Sequence, residues 1–98
     1  MLRHVVLLRW KPEMPAAQVQ AIAAALRSLP EVVPTIRSYA CGSDLGLGGD
    51  ANASFAIVAD FDDEVGWRVY DEHPAHEAAR ADLIRPWIAE RTLAQFEV

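Results

Sequence analysis

The stretch LRHVVLLRW, Leu2 to Trp10, decides the fold. Leucine and β-branched residues dominate it and Lys11-Pro12 ends it, so it reads as a β-strand. Its even positions are His4, Val6, Leu8 and Trp10; its odd ones are Arg3, Val5, Leu7 and Arg9. Successive side chains of a strand point to opposite faces, so both faces carry an apolar centre. A sheet built on such a strand has to be covered on both sides.

Outward from this strand the period changes. Val19, Ile22, Leu26 and Leu29 recur at three- and four-residue steps, which predicts a helix from Pro15 to Leu29 with Pro15 at its first position and Pro30 stopping it. Thr35 to Gly42 is a second strand, followed by a Gly- and Asp-rich hairpin connection from Ser43 to Asp50. Phe55, Ile57, Ala59 and Phe61 share one face of a third strand, with Ala56 and Val58 on the other. Asp62 or Asp63 can cap a helix carrying Val65, Trp67, Val69 and Tyr70. Pro74 restarts a helix that runs to about Ile84, and Thr92 to Val98 closes the chain as a fourth strand. The order is strand, helix, strand, strand, helix, strand. It predicts an α+β fold of the ferredoxin-like, split βαβ kind, with a four-stranded antiparallel sheet and its helices on one face.

Ninety-eight residues make one domain, 1–98. A chain this short buries roughly 60–65% of its unfolded surface, so further burial is welcome. The helices cover one face of the sheet, and the same sheet from a second copy is the economical cover for the other. The expected assembly is therefore a homodimer with two sheets face to face.

Composition narrows the function. The chain is 52% hydrophobic and 23% charged, a globular balance, and its net charge of −5 argues against nucleic-acid binding, which needs a basic face. Cys41 is the single cysteine, so no disulfide within the chain is expected. Only Val5 to Leu8 are consecutively apolar near the start, too few for a signal segment or a membrane span. The expectation is a cytoplasmic protein with no membrane partner. Gly46-x-Gly48 lacks the rest of a dinucleotide-binding pattern and no helix follows it, so no cofactor is expected there. Trp10, Trp67 and Trp87 follow the structural elements and read as core or interface anchors.

The string YDEHPAH, Tyr70 to His76, carries the chemistry. Pro74 pre-sets the first turn of a helix, which makes His73 the cap and places His76 at the third helical position. The positive end of a helix disfavours imidazolium, so His76 is expected to be neutral at pH 7. A neutral histidine beside a phenol can act as base and donor: His76 takes a proton from a carbon next to a carbonyl, and Tyr70 holds the developing oxyanion. His4, on the strand face shared with Val6 and Leu8, can orient the same substrate. The plainer reading is a capped helix start with a core tyrosine. A metal set of His4, His73 and His76 with Asp71 or Glu72 is disfavoured, because the proline breaks the regular i, i+3 face.

The segments LRHVVLLRWKPE, SFAIVADFDDEVGWRVYDEHPAH and FEV resemble the stress-responsive dimeric α/β-barrel (Dabb) family over essentially the whole chain. The Tyr-x-x-His-Pro-x-His string joined to a histidine in the first strand is the most specific part. The resemblance implies a ferredoxin-like fold and a dimer whose sheets form a barrel. The family includes plant stress-associated proteins, bacterial members without an assigned role, and a plant polyketide cyclase that closes an aromatic ring by aldol condensation. In that cyclase the tyrosine and the second histidine of the string are catalytic, which implies Tyr70 and His76 here, and the strand histidine, here His4, lines the same pocket. Ala21, Ala23, Ala24 and Ala25 stand where the cyclase carries aromatic residues, so a differently shaped pocket is implied. Some plant members bind magnesium through backbone carbonyls near positions 30–36; carbonyl ligands leave no side-chain signature, and no metal is expected. The resulting expectation is one cavity between helices and sheet, holding Tyr70, His76 and His4 and lined by Val6, Leu8, Ile22 and Leu26. Three functions follow: a small-molecule-binding protein with cofactor-free acid/base catalysis of cyclase or isomerase type, a non-enzymatic stress-associated dimer, or a cofactor-free monooxygenase of the same fold.

Overall fold

Strand β1, Leu2–Trp10, lies inside an antiparallel sheet with β3 (Phe55–Phe61) on one edge and β4 (Ile88–Glu97) on the other. Strand β2 (Ser38–Ser43) pairs with the outer edge of β3, giving the spatial order β2-β3-β1-β4. The structure, a computed structural model, describes residues 1–98. Helix α1 (Ala16–Arg27) leads from β1 toward β2, and α2 (Glu64–Glu72) and α3 (Pro74–Ala78) lead from β3 toward β4. This is the ferredoxin-like arrangement expected from the element order. No helix is long and apolar enough to cross a membrane.

Register fixes which residues meet. His4 lies opposite Ala59 and Gln95, Val6 opposite Ile57 and Leu93, and Leu8 opposite Phe55 and Arg91. The even-numbered side chains His4, Val6 and Leu8 are buried on the helix side. They meet Ile22, Ala23 and Leu26 of α1 in a core completed by Leu29, Val33, Phe55, Phe61 and Tyr70. Each large apolar side chain buried here contributes about 1.5–3 kcal/mol. The opposite face carries Val5, Leu7, Ala56, Val58, Ala94 and Phe96, with Leu7 40% and Phe96 49% exposed. On that face Arg3 donates two hydrogen bonds to Asp60, at 2.8 and 2.9 Å, and Ser38 donates a third at 3.0 Å. The Arg3 bond holds the Asp60 carboxyl below its ordinary range, against the opposing cost of removing it from water.

Several boundaries differ from expectation, each for a local reason. Pro15 is the N-cap of α1 and not its first helical residue: its ψ of 140° is extended, and its carbonyl accepts from Gln18 and Val19. After Arg27 the chain tightens into a 3-10 turn, Leu29–Glu31, which still buries Leu29. Strand β2 starts at Ser38, three residues after Thr35, because the Thr35 hydroxyl donates to the Gly66 carbonyl at 2.7 Å. The β2–β3 connection is organised by Asp44, whose carboxylate accepts from the Gly46 amide and the Asn52 side chain, both at 2.9 Å. Gly46 and Gly49 take φ of 80° and 62° there, a region that favours glycine.

The second helix comes in two pieces, as the His73-Pro74 pair predicts. His73 sits at φ −65°, ψ 135°, the extended shape that a following proline imposes. The continuation to Ile84 is not one α-helix. After α3 the chain widens into a π-turn over Ala79–Ile84 and then a 3-10 turn over Arg85–Trp87. A π-turn aligns residues five apart, so Ala79 and Ile84 both face the core. Strand β4 begins at Ile88, four residues before Thr92, once the backbone leaves the turn after Trp87.

Asp63, not Asp62, caps α2: its Oδ1 accepts from the Gly66 amide at 2.9 Å. Asp62 instead pairs with Arg37 in solvent, at 2.6 Å. Asp63→Ala should therefore lower unfolding free energy by about 1 kcal/mol, and Asp62→Ala by less. Urea denaturation of the two variants beside the parent checks the order; a larger loss in Asp62→Ala contradicts this capping.

Candidate functional site

A cleft of about 670 Å³ opens between the helix-side face of the sheet and the α2–α3 segment. Its floor is β1 and β4. Its roof comes from the end of α2, α3 and the turns that follow. Strand β4 has no helix of its own above it, so its helix-side residues Leu93 and Gln95 stay exposed and become the open wall.

His4, Tyr70 and His76 converge at one end of this cleft, as the sequence predicts, and Val6, Leu8 and Leu26 line it. Ile22 does not: it is completely buried in the core behind the wall, because its turn of α1 packs directly on the sheet. The sequence reading missed Trp67, Arg91 and Gln95 on the wall. For Trp67 the signal was present, since it precedes Tyr70 by three positions on one helix face. Arg91 and Gln95 needed the β1–β4 register, which no local pattern supplies.

The rings form a contiguous stack. Tyr70 and His76 stack with their planes 28° apart and their centroids 4.2 Å apart. His4 meets the edge of Tyr70 at 6.0 Å and packs on Trp67 at 5.9 Å. Phe61 holds the far side of Tyr70 at 5.2 Å. The Tyr70 hydroxyl is 3.3 Å from that of Tyr39 on β2, a pair in which one donates to the other. Burial raises the pKa of both phenols, so both stay protonated and able to donate.

Hydrogen bonding assigns the tautomers. His76 Nδ1 is 3.1 Å from the Asp71 carbonyl, which can only accept; Nδ1 therefore carries the hydrogen and Nε2 keeps a lone pair. Gln95 Nε2 is 2.9 Å from His4 Nδ1, and with the amide in this orientation it donates to Nδ1, which puts the His4 hydrogen on Nε2. The end of the cleft thus combines one imidazole acceptor, one imidazole donor and one phenol. Desolvation lowers the pKa of His76, with the Arg80 charge adding to it against the Asp71 carbonyl bond. His4 is pushed down to about 4, first by burial and then by the proximity of His76. Both rings are neutral at pH 7.

His73 stands apart from this pair. Its Nδ1 accepts from the Ala75 amide at 3.0 Å, the side-chain cap that the sequence predicts. The alternative metal set is not assembled: no three His, Cys, Asp or Glu side chains come together as ligands. The Trp67 indole N–H is the one buried side-chain polar atom without a partner.

The chain matches no curated protein. Among solved structures it is similar to a dimeric ferredoxin-like protein of unknown function from Thermobifida fusca. The two are 43% identical over 99% of this chain and 90% of that one, with a TM-score of 0.90. It is also similar to the hydroxynitrile lyase from Passiflora edulis, at 18% identity over 99% of this chain and 92% of the lyase, with a TM-score of 0.84. An antibiotic biosynthesis monooxygenase aligns over 100% of this chain and 98% of its own, at 16% identity and a TM-score of 0.73. At the last two identities the likeness is one of fold. The model of the stress responsive A/B barrel domain matches residues 2–98, and with this sheet order and topology the chain belongs to that family.

Proposed function

We propose that this protein is a homodimer that binds a small carbonyl compound in the cleft of each chain and moves a proton on it without a cofactor. The observation that carries the reading is the His76 ring, stacked on Tyr70 with Nδ1 engaged by Asp71 and Nε2 free. His76 Nε2 removes a proton from the carbon next to the carbonyl. The electron pair moves into the enolate, and the oxygen that gains charge is held by the Tyr70 hydroxyl and the His4 Nε2–H. Isomerisation returns the proton to a different carbon. Cyclisation instead closes the enolate carbon on a second carbonyl, and the His76 proton goes to the new alkoxide. Positioned acid/base groups of this kind supply about 10²–10⁴-fold.

The pair is arranged to work near neutrality. A base must be unprotonated, and burial keeps His76 so. When Tyr39 donates in its 3.3 Å contact with the Tyr70 oxygen, the Tyr70 hydrogen is left for substrate and strengthened as a donor. The non-enzymatic alternative keeps the same cleft and loses only the proton transfer. Dimerisation is supported by the apolar sheet face opposite the helices and by the chain's similarity to the dimeric ferredoxin-like protein from Thermobifida fusca.

Three measurements test this. Solvent deuterium incorporation next to the carbonyl of acetophenone, followed by NMR, should exceed that of free imidazole at equal concentration. His76→Gln should remove about two orders of magnitude or more of the excess. Incorporation no faster than with imidazole leaves a binding protein and no catalyst. Light scattering at micromolar concentration should give twice the mass of one chain, and Val58→Asp should lower both mass and stability, because it buries an unpaired carboxylate. A one-chain mass for the parent overturns the dimer.

Protonation gives the third. In an NMR titration assigned with His4→Gln and His76→Gln, both rings should titrate below 6.5, His4 near 4. A base whose folded pKa is depressed costs the native state its stability as pH falls, because the unfolded chain takes up the proton first. The histidine contribution is intact above the unfolded value of about 6.5 and is lost progressively as pH falls toward the folded one. Melting temperature should therefore fall across that window, and His4→Gln should flatten the slope. A His76 value at or above 6.5 removes the neutral-base mechanism.

A further inference from the structure

We infer that the ligand of this cleft is an oxo acid, with its carbonyl at the His4–Tyr70–His76 end and its carboxylate paired with Arg91. The inference rests on the cleft reading above and names the substrate class for it. Three rungs of the β1–β4 register set out the pattern. The first pairs His4 with Gln95, the second Val6 with Leu93, and the third Leu8 with Arg91. All six side chains lie on the helix side of the sheet and line the cleft. The floor therefore runs from a polar end, through an apolar middle, to a cation. Gln95 and Arg91 are four residues apart, roughly 13 Å at about 3.3 Å per residue, and the long arginine stem shortens the gap a ligand must span.

Charge pairing singles out Arg91. Three arginines and two acids line the cleft, Arg80, Arg85 and Arg91 against Asp71 and Glu90, so it is cationic by one in a chain of net charge −5. Arg80 is engaged by Asp71 at 3.1 Å and by Glu77 at 2.6 Å, and Arg85 reaches Glu77 at 3.5 Å. Glu90 pairs with Arg9 at 3.6 Å. Arg91 alone of the five makes no ion pair. Its neighbours on the same face, Leu8 and Leu93, are apolar, so nothing in the chain competes for it. One guanidinium matches one carboxylate in a bidentate pair, whereas a phosphate would call for more donors than this wall provides.

The probes are 4-oxo-4-phenylbutanoate, its methyl ester, and 4-phenylbutanoate, titrated into the full chain at low salt. Binding is followed on the His4 and His76 ring resonances. The oxo acid should bind roughly 1.5- to fivefold tighter than its ester, the range for an exposed ion pair. Arg91→Gln should bring the ratio of acid to ester close to unity, and salt should do the same by screening. 4-Phenylbutanoate should respond to Arg91→Gln but shift the rings less. An ester that binds as well as the acid, or an acid preference that survives Arg91→Gln, overturns the inference and leaves the cleft reading standing. If no probe shifts either ring, the cleft reading fails and takes the inference with it.

Discussion

The rest of the structure depends on β1 having a partner strand on both edges and apolar side chains on both faces. Antiparallel pairing to β3 and β4 satisfies its backbone. Its even-numbered side chains then face the helices, and its odd-numbered ones face away. This alternation places His4 among buried neighbours although it lies near the start of the chain. A shift of one residue in either register would exchange the faces, putting Arg3 and Arg9 into the core and His4 outside. The buried neighbours of Val6 and Leu8, more than any polar contact, hold the His4–Tyr70–His76 end of the cleft in position.

The second constraint is a break in the chain at His73-Pro74. Proline forces His73 out of helical geometry, and the freed imidazole caps the helix that follows. The kink brings the Asp71 carbonyl, left over near the end of α2, to His76 Nδ1. One carbonyl therefore sets the tautomer of the ring, and Nε2 becomes the acceptor. The π-turn after α3 acts on the same wall. By aligning positions five apart it buries Ala79 with Ile84 and leaves Arg80 and Arg85 at the cleft, where both reach Glu77.

The cleft tolerates costs that the core does not. Two histidines are held neutral by burial, one indole donor has no partner, and one arginine has no counter-ion. None of these stabilises the native chain. They gather around the cleft, whereas the core beneath, from Ile22 to Phe61, is apolar. Stability and site are separated by one layer of side chains, and Ile22 lies on the stability side of it.

Element order, the two-faced strand and the capped helix start were all legible in the residues themselves, whereas the convergence of His4, Tyr70 and His76 was implied by the family resemblance. Periodicity, proline and short-range capping act within a few positions, so the chain announces them locally. The boundaries of β2 and β4, the π-turn, the exclusion of Ile22 and the tautomer of His4 were not legible. Each depends on a contact distant in sequence: Thr35 with Gly66, or Gln95 with His4 across ninety-one positions. Which strand lies beside which, and in what register, is decided by the packing of the whole sheet. The local sequence therefore determined what each segment is, and only the tertiary structure decided which side chains share the cleft.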